Sequence, residues 1–318
     1  LNSLKVLVFC LVLLLPVSAL AEWTAGWQKP LLGVEINKSH PIAHRLVGAW
    51  VCNEAIGDTA TNYTNPGRND GTLTGSTCTW KVGEKGAAVQ VTGDGVTDRI
   101  NIGSVAGSNP LSGYGSQVIS MAALVYKAPD PGNNSYWRMI DISDGANASN
   151  GWALWWYTSN NEWLVAVDGT VIGDWTADSA IVTGGHRFVG VVINAKTDSH
   201  DLYLDGSLYS TESTAVTFNA TTVNGAIGNW NHAADRQWNG HIYYVYVWNR
   251  VVTAAEFAQL YSEPYCMFVQ FSAARFYSPA GAPSVIPTPY YYRIITSWNI
   301  PSDYWDDKIE LLPTGTDG

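Results

Sequence analysis

The amino-acid sequence predicts an all-β protein: a two-sheet antiparallel jelly-roll sandwich with one short helix near its C-terminal end, plus an N-terminal arm and a C-terminal extension. Three observations carry this. Thirty Gly, 15 Trp and 17 Tyr among 318 residues, with only 14% charged, suit a turn-rich, aromatic β-protein. Short apolar runs recur with turn signals between them, the spacing of a sandwich. The late stretch GAIGNWNHAADRQWNGHIYYVYVWNRVVTAAEFAQLY (225–261) reads as strand, loop, strand and one short helix.

Residues 1–21 read as a secretory signal peptide. Lys5 is its lone charge, 6–21 is almost wholly apolar, and Ala19-Leu20-Ala21 is a small-x-small cleavage site. Pro16, and a length short of the about 20 residues a spanning helix needs, argue against an anchor. Phe9 is too large for a lipid-attachment motif at Cys10. The mature chain is expected to be secreted, extracellular or at a cell surface, with no membrane insertion. Residues 22–44 form the arm, with Trp23 and Trp27.

Strands then dominate over 45–263. The first spans 46–53, and a turn-rich segment covers 57–75. Short strands at 87–91 and 99–102 precede a long apolar one at 117–127 and another at 137–142. Two hairpins, LVAVDGTVI (164–172) and LYLDGSLY (202–209), place Asp-Gly where a tight turn needs positive φ. Between them lies the apolar strand 186–194. In the final strand, alternation puts Ile242, Tyr244, Tyr246 and Trp248 on one face and Tyr243, Val245 and Val247 on the other. Asn249-Arg250 ends it, and Thr253 to Glu256 is a capping box that opens the helix. Over 264–318, prolines at 279, 283, 287 and 289 disfavour both a helix and a central strand. Its aromatics are expected to pack on the sandwich or on another chain, making it a route to a homo-oligomer.

The ordered residues Gly240, Ile242, Val245, Val247, Asn249, Arg250, Ala255, Glu256, Leu260 and Tyr261 resemble the closing signature of LamG-like domains, the concanavalin A-like lectin/glucanase jelly rolls of the laminin G-like superfamily. HRFVGVVINAKTDSHDLYLDGSLY, with Tyr203, Asp205 and Gly206, is similar to that family's central strand pair. RLVGAWVCNEAIGDTATNYTNPGRNDGTL resembles its opening strand and loop. The likeness covers about 45–263. It implies a jelly roll that binds extracellular ligands more often than it catalyses. GWQKPLLGVEINKSHPIAHRLVGAW and LYSEPYCMF also resemble LamG-like proteins encoded by tailed phages and prophages. That implies an alternative role, a structural or host-attachment component of a virion or cell-surface assembly.

The expected function is therefore non-catalytic binding of a glycan or glycoprotein in adhesion or recognition. In GWALWWYTSNNEWLVAV, Trp152, Leu154 and Trp156 share one face while Ala153, Trp155 and Tyr157 share the other. Trp155, Tyr157, Asn160, Asn161 and Trp163 are one candidate glycan patch, since aromatic faces stack on sugar rings and amides bind hydroxyls. The competing reading puts these tryptophans in the core. A second candidate is the loop 229–237 (NWNHAADRQ), with Trp230, His232, Asp235, Arg236 and the adjoining Trp238. The resemblance also implies a rim calcium site at Asn69 and Asp70. Tyr63, Pro66 and Arg68 depart from its pattern, and Tyr243 and Tyr244 stand where an acidic pair is common. No cofactor is required.

Beyond residue 21 the cysteines are Cys52, Cys78 and Cys266. In an oxidising compartment Cys52 and Cys78, both on early strands, are the candidate disulfide, with buried thiols as the alternative. The charge balance, 17 basic against 27 acidic residues or −10, excludes a nucleic-acid partner. An enzyme is not expected. Glycoside hydrolysis needs two carboxylates about 5–10 Å apart across a cleft. Asp201 and Asp205 share a strand face, but Asp205 is a hairpin turn residue. No nucleophile elbow, P-loop or dinucleotide fingerprint occurs.

Overall fold

A computed structural model describes residues 29–92, 97–129, 136–144, 148–175, 184–230 and 236–269. Residues 1–21, expected to be a signal peptide, 22–28 of the arm and 270–318 of the extension lie outside the described residues.

The strands, in chain order, are β1 (Leu46–Trp50), β2 (Thr59–Ala60), β3 (Gly71–Thr74), β4 (Thr79–Gly83), β5 (Gly86–Val91), β6 (Arg99–Val105), β7 (Val118–Lys127), β8 (Tyr136–Ser143), β9 (Gly151–Tyr157), β10 (Glu162–Val167), β11 (Thr170–Trp175), β12 (His186–Asn194), β13 (Ser199–Leu204), β14 (Ser207–Ser213), β15 (Val223–Ile227) and β16 (Gly240–Trp248). The helix α1 (Ala254–Ser262) follows. Sheet one runs β14-β13-β12-β7-β16-β5-β4, with β1 also paired to β16. Sheet two runs β11-β10-β9-β8-β15-β6-β3-β2. Every pairing is antiparallel, for example β12 with β7 and β9 with β8. This is the expected jelly-roll sandwich.

Both Asp-Gly hairpins adopt the turn their residues specify. Asp168 and Gly169 have φ 45° and 84°, and Asp205 and Gly206 have 48° and 80°. Gly240, which opens β16, has φ +147°, and a Cβ there would meet the Tyr126 carbonyl oxygen at 1.9 Å, so only glycine fits. The capping box is present: the Glu256 amide donates to the Thr253 hydroxyl (3.3 Å), and the Thr253 amide donates to Glu256 (2.8 Å).

Inner faces of both sheets meet in one core, with Val89, Val91, Ile119, Met121, Val189 and Val245 facing Ile100, Ile140, Trp152, Trp156 and Val165. A second apolar cluster lies on the outer face of sheet one, where Tyr244, Tyr246 and Trp248 pack with Val34, Ile42, Phe257, Leu260, Tyr265 and Phe268. The arm and α1 thus roof this face. Lys29 helps fasten the arm, donating to the carbonyls of Val51, Cys52 (3.2 Å) and Tyr243 (2.6 Å). Burial pulls its amine down to about 8, while Cys52 and Glu54 oppose the shift.

Two expectations are corrected. The simple alternation of the last strand fails, because the register slips between Ile242 and Tyr244. This bulge turns Ile242 inward with Val245 and Val247, and leaves Tyr243 and Tyr244 together in the outer cluster. Cys52 and Cys78 are free, buried thiols rather than a disulfide. Burial pushes each up to about 12, which makes them poor nucleophiles.

Candidate ligand-binding face

The two expected aromatic sites converge on the outer face of sheet two. Register places Tyr136 of β8 opposite Tyr157 of β9, and Arg138 opposite Trp155. Tyr157 in turn faces Glu162 of β10, and Trp155 faces Leu164. Trp155, Leu164, Ala153 and Ala166 form an apolar cluster separate from the main core, with Tyr157 packed against it. Tyr136, 37% exposed, stacks on Tyr157 at 4.7 Å between centroids and 13° between planes.

The loop before β16 joins this stack. The Arg236 guanidinium lies 4.2 Å from the Trp230 ring and 5.1 Å from the Tyr136 ring. Asn160 and Asn161 form the β9–β10 turn, Asn161 with φ 53°. The Asn160 amide donates to the buried Glu162 (3.2 Å). Trp155, Tyr157, Asn160, Trp230 and Arg236 are therefore assembled in one region, although the sequence separates them into two candidates; Trp155 is itself buried, which corrects its expected role as an open stacking surface. His232 and Asp235 lie outside the described residues.

Trp163 and Trp238 do not belong to this face, a correction to both candidates. Each is fully buried in the inter-sheet core. Trp163 stacks on Trp238 at 6.3 Å and meets Trp156 edge-on at 5.3 Å. The reason is register: Trp163 pairs with Trp156, and those positions of sheet two point inward.

Sequence reasoning missed Tyr136, Arg138, Asp141 and Glu162. The available signal was the alternation in YWRMIDIS, which sets Tyr136 and Arg138 against the inward Trp137. Arg138 is buried, with its guanidinium 3.9 Å from the Trp155 ring centroid. Its Nε lies 3.5 Å from an Asp141 carboxylate oxygen. Burial pushes Arg138 down to about 10; Asp141 opposes the shift and Arg236 adds to it, and the group remains a cation at neutral pH. Asp141 also accepts from the Ser143 hydroxyl.

In the loop that the family likeness suggested for calcium, both candidate side chains are engaged within the protein. Asp70 accepts from the amides of Asn62 (2.8 Å) and Gly67 (2.9 Å). The Asn69 amide oxygen accepts from Asn109 (2.8 Å), and its nitrogen donates to the Ile102 carbonyl (3.0 Å). These oxygens shape the loop itself. Among the described residues no group of three or more His, Cys, Asp or Glu is placed to hold a metal.

This two-sheet architecture is that of a known superfamily. The chain belongs to the concanavalin A-like lectin/glucanase superfamily, whose model matches residues 84–258, more than half of the chain. No curated protein matches it. Similar solved structures include domain 4 of AbnA, a GH43 extracellular arabinanase from Geobacillus stearothermophilus, in complex with arabinotriose; identity is 14%, TM-score 0.49, and the match covers 68% of this chain and 98% of that one. Trypanosoma rangeli sialidase in complex with the inhibitor DANA matches at 12% identity and TM-score 0.46, over 70% of this chain and 33% of its own. The receptor binding domain of botulinum neurotoxin C/D mosaic serotype matches at 13% and 0.48, over 68% and 51%. The chain thus spans about a third of the sialidase and half of the toxin fragment. Among the described residues no helix is long and apolar enough to cross a membrane.

Proposed function

We propose that the chain is a non-catalytic, extracellular binding module for a carbohydrate or the glycan of a glycoprotein, held on the outer face of sheet two. The Tyr136–Tyr157 stack carries this reading. Its partly exposed ring offers a flat apolar surface to sugar C–H groups, and Arg236 and Asn160 around it supply donors and acceptors for hydroxyls. Membership of a lectin/glucanase superfamily supports the same ligand class. The acids of this face serve position rather than catalysis: Asp141 is engaged by Arg138 and Ser143, and Glu162 by Asn160. The signal-like residues 1–21 agree with an extracellular ligand.

A glycan array probed with the intact mature chain tests this. Binding to a defined set of glycans that is lost in Tyr136→Ala and Tyr157→Ala, both still folded, is expected. Absence of binding to every glycan on the array would overturn it, as would turnover of a bound oligosaccharide.

A further inference from the structure

We propose that the ligand is an acidic saccharide, a sugar bearing a ring carboxylate, and that Arg138 is its anchor. This rests on the glycan-binding reading of the same face. Arg138 is 0% exposed, yet its Nε, Nη1 and Nη2 all lack a hydrogen-bond partner. The Asp141 carboxylate lies 3.5 Å from Nε, an ion pair but too long for a good hydrogen bond. The Nη1/Nη2 fork is left with nothing to donate to. Trp155, against whose ring the guanidinium lies, likewise has an unpaired indole N–H. Unpaired indoles also occur in the core, at Trp156, Trp163 and Trp175, but among the described residues Arg138 is the guanidinium with all three nitrogens buried and unmet, and it carries a charge.

The chemistry of that gap is specific. A guanidinium has only donors, in a planar fork that matches the two oxygens of a carboxylate through parallel, charge-assisted bonds. A neutral hydroxyl satisfies one donor and cannot engage both arms of the fork as a carboxylate does. Position fits as well. Arg138 follows Tyr136 by two residues on the same face of β8, about 7 Å along the strand. Arg138 is covered, so the carboxylate of a sugar stacked on the exposed Tyr136, or of its neighbour, reaches the guanidinium only where the Tyr136–Arg236 rim gives way. Arg236, beside the same stack, adds positive charge to that approach.

Calorimetry at neutral pH on the intact mature chain, with two matched ligand pairs, tests the proposal. The pairs are trigalacturonate against its methyl ester, and sialyllactose against lactose. The acidic member of at least one pair is expected to bind about tenfold or more tightly than its neutral partner. Which pair discriminates separates a uronate from a nonulosonate source. Folded Arg138→Gln is expected to lose the discrimination, and Arg138→Lys, which keeps charge but not the fork, to retain only part of it. The pairs need no variant, so the proposal stays testable if Arg138→Gln fails to fold. Equal affinity within both pairs, alongside binding on the array, overturns the acidic ligand and leaves the glycan-binding reading standing. No binding on the array overturns both. Discrimination that survives in folded Arg138→Gln removes Arg138 as the anchor.

Discussion

The two sheets each carry an aromatic outer face, and the faces differ in who supplies their partners. On sheet one, Tyr244, Tyr246 and Trp248 are roofed by the arm, α1 and residues 265–268. The Tyr246 hydroxyl donates to the Pro264 carbonyl (3.1 Å), and the Trp248 indole donates to the Ile42 carbonyl (2.6 Å). Among the described residues the Tyr244 hydroxyl and His241 Nδ1 find no partner there. On sheet two, Tyr136 and Tyr157 stack at a partly exposed rim, and below them Arg138 and Trp155 hold donors with no partner among the described residues. Aromatic richness therefore does not mark a site in this molecule. The more useful mark is a buried charged group, Arg138, with several donors unmet beside an exposed aromatic.

The largest effect expected from this contrast is on stability. Trp248→Ala removes a fully buried ring and its bond to Ile42, and should cost about 3–5 kcal/mol in a denaturant titration. A loss below about 1 kcal/mol, the range of ordinary surface changes, would mean that the roof over sheet one is loosely packed and the contrast unfounded.

A smaller effect is expected at the edge of that roof. Arg250 donates to both oxygens of Glu256 at 2.8 and 2.7 Å, and it also donates to the His44 carbonyl of the arm (2.8 Å). Glu256→Gln removes the ion pair and weakens the helix cap, an expected loss of about 1–2 kcal/mol at neutral pH. Burial by itself would raise the Glu256 carboxyl, but bonds from Arg250 and Thr253 outweigh it and hold it below its ordinary 4.5. A depressed folded-state pKa contributes stability above the unfolded value and loses it as pH falls through the folded one. The gap between wild type and Glu256→Gln should thus be constant above pH 4.5 and close below it. A gap that widens in acid would show that the carboxyl is not held down by Arg250.

What the sequence made legible follows from local rules. Asp-Gly fixed two turns because few residues accept positive φ, and the capping box located α1 to the residue. Alternation separated Trp152 and Trp156 from Trp155 and Tyr157 correctly, because side chains alternate within one strand. It failed between strands. Whether Trp163 joins Trp155 or opposes it depends on the register across the 158–161 turn, and pairing Tyr157 with Glu162 sends Trp163 inward. The same limit hid Arg138, whose stacking partner is on the next strand, and the bulge that put Tyr243 beside Tyr244. The roof over sheet one joins residues near 34–42 to residues near 244–268, a separation no local pattern reports.

The smallest stability effect is expected where the binding effect should be greatest. Tyr136 begins β8 and is the exposed partner of its stack, so Tyr136→Ala removes ring contact with Tyr157 and Arg236 but opens no cavity in either core. Its cost should stay near 1 kcal/mol or less, the worth of one aromatic pair. Any glycan that binds the intact chain should lose at least about tenfold in affinity, since a stacking platform is commonly worth more than 1.4 kcal/mol of binding. Both numbers come from one purified variant, by thermal melt and by calorimetry. If Tyr136→Ala melts as early as Trp248→Ala, sheet two's rim is part of the core after all. If it neither melts early nor loses affinity, the ligand lies on another face, and the unmet donors of Arg138 require a partner from within the chain.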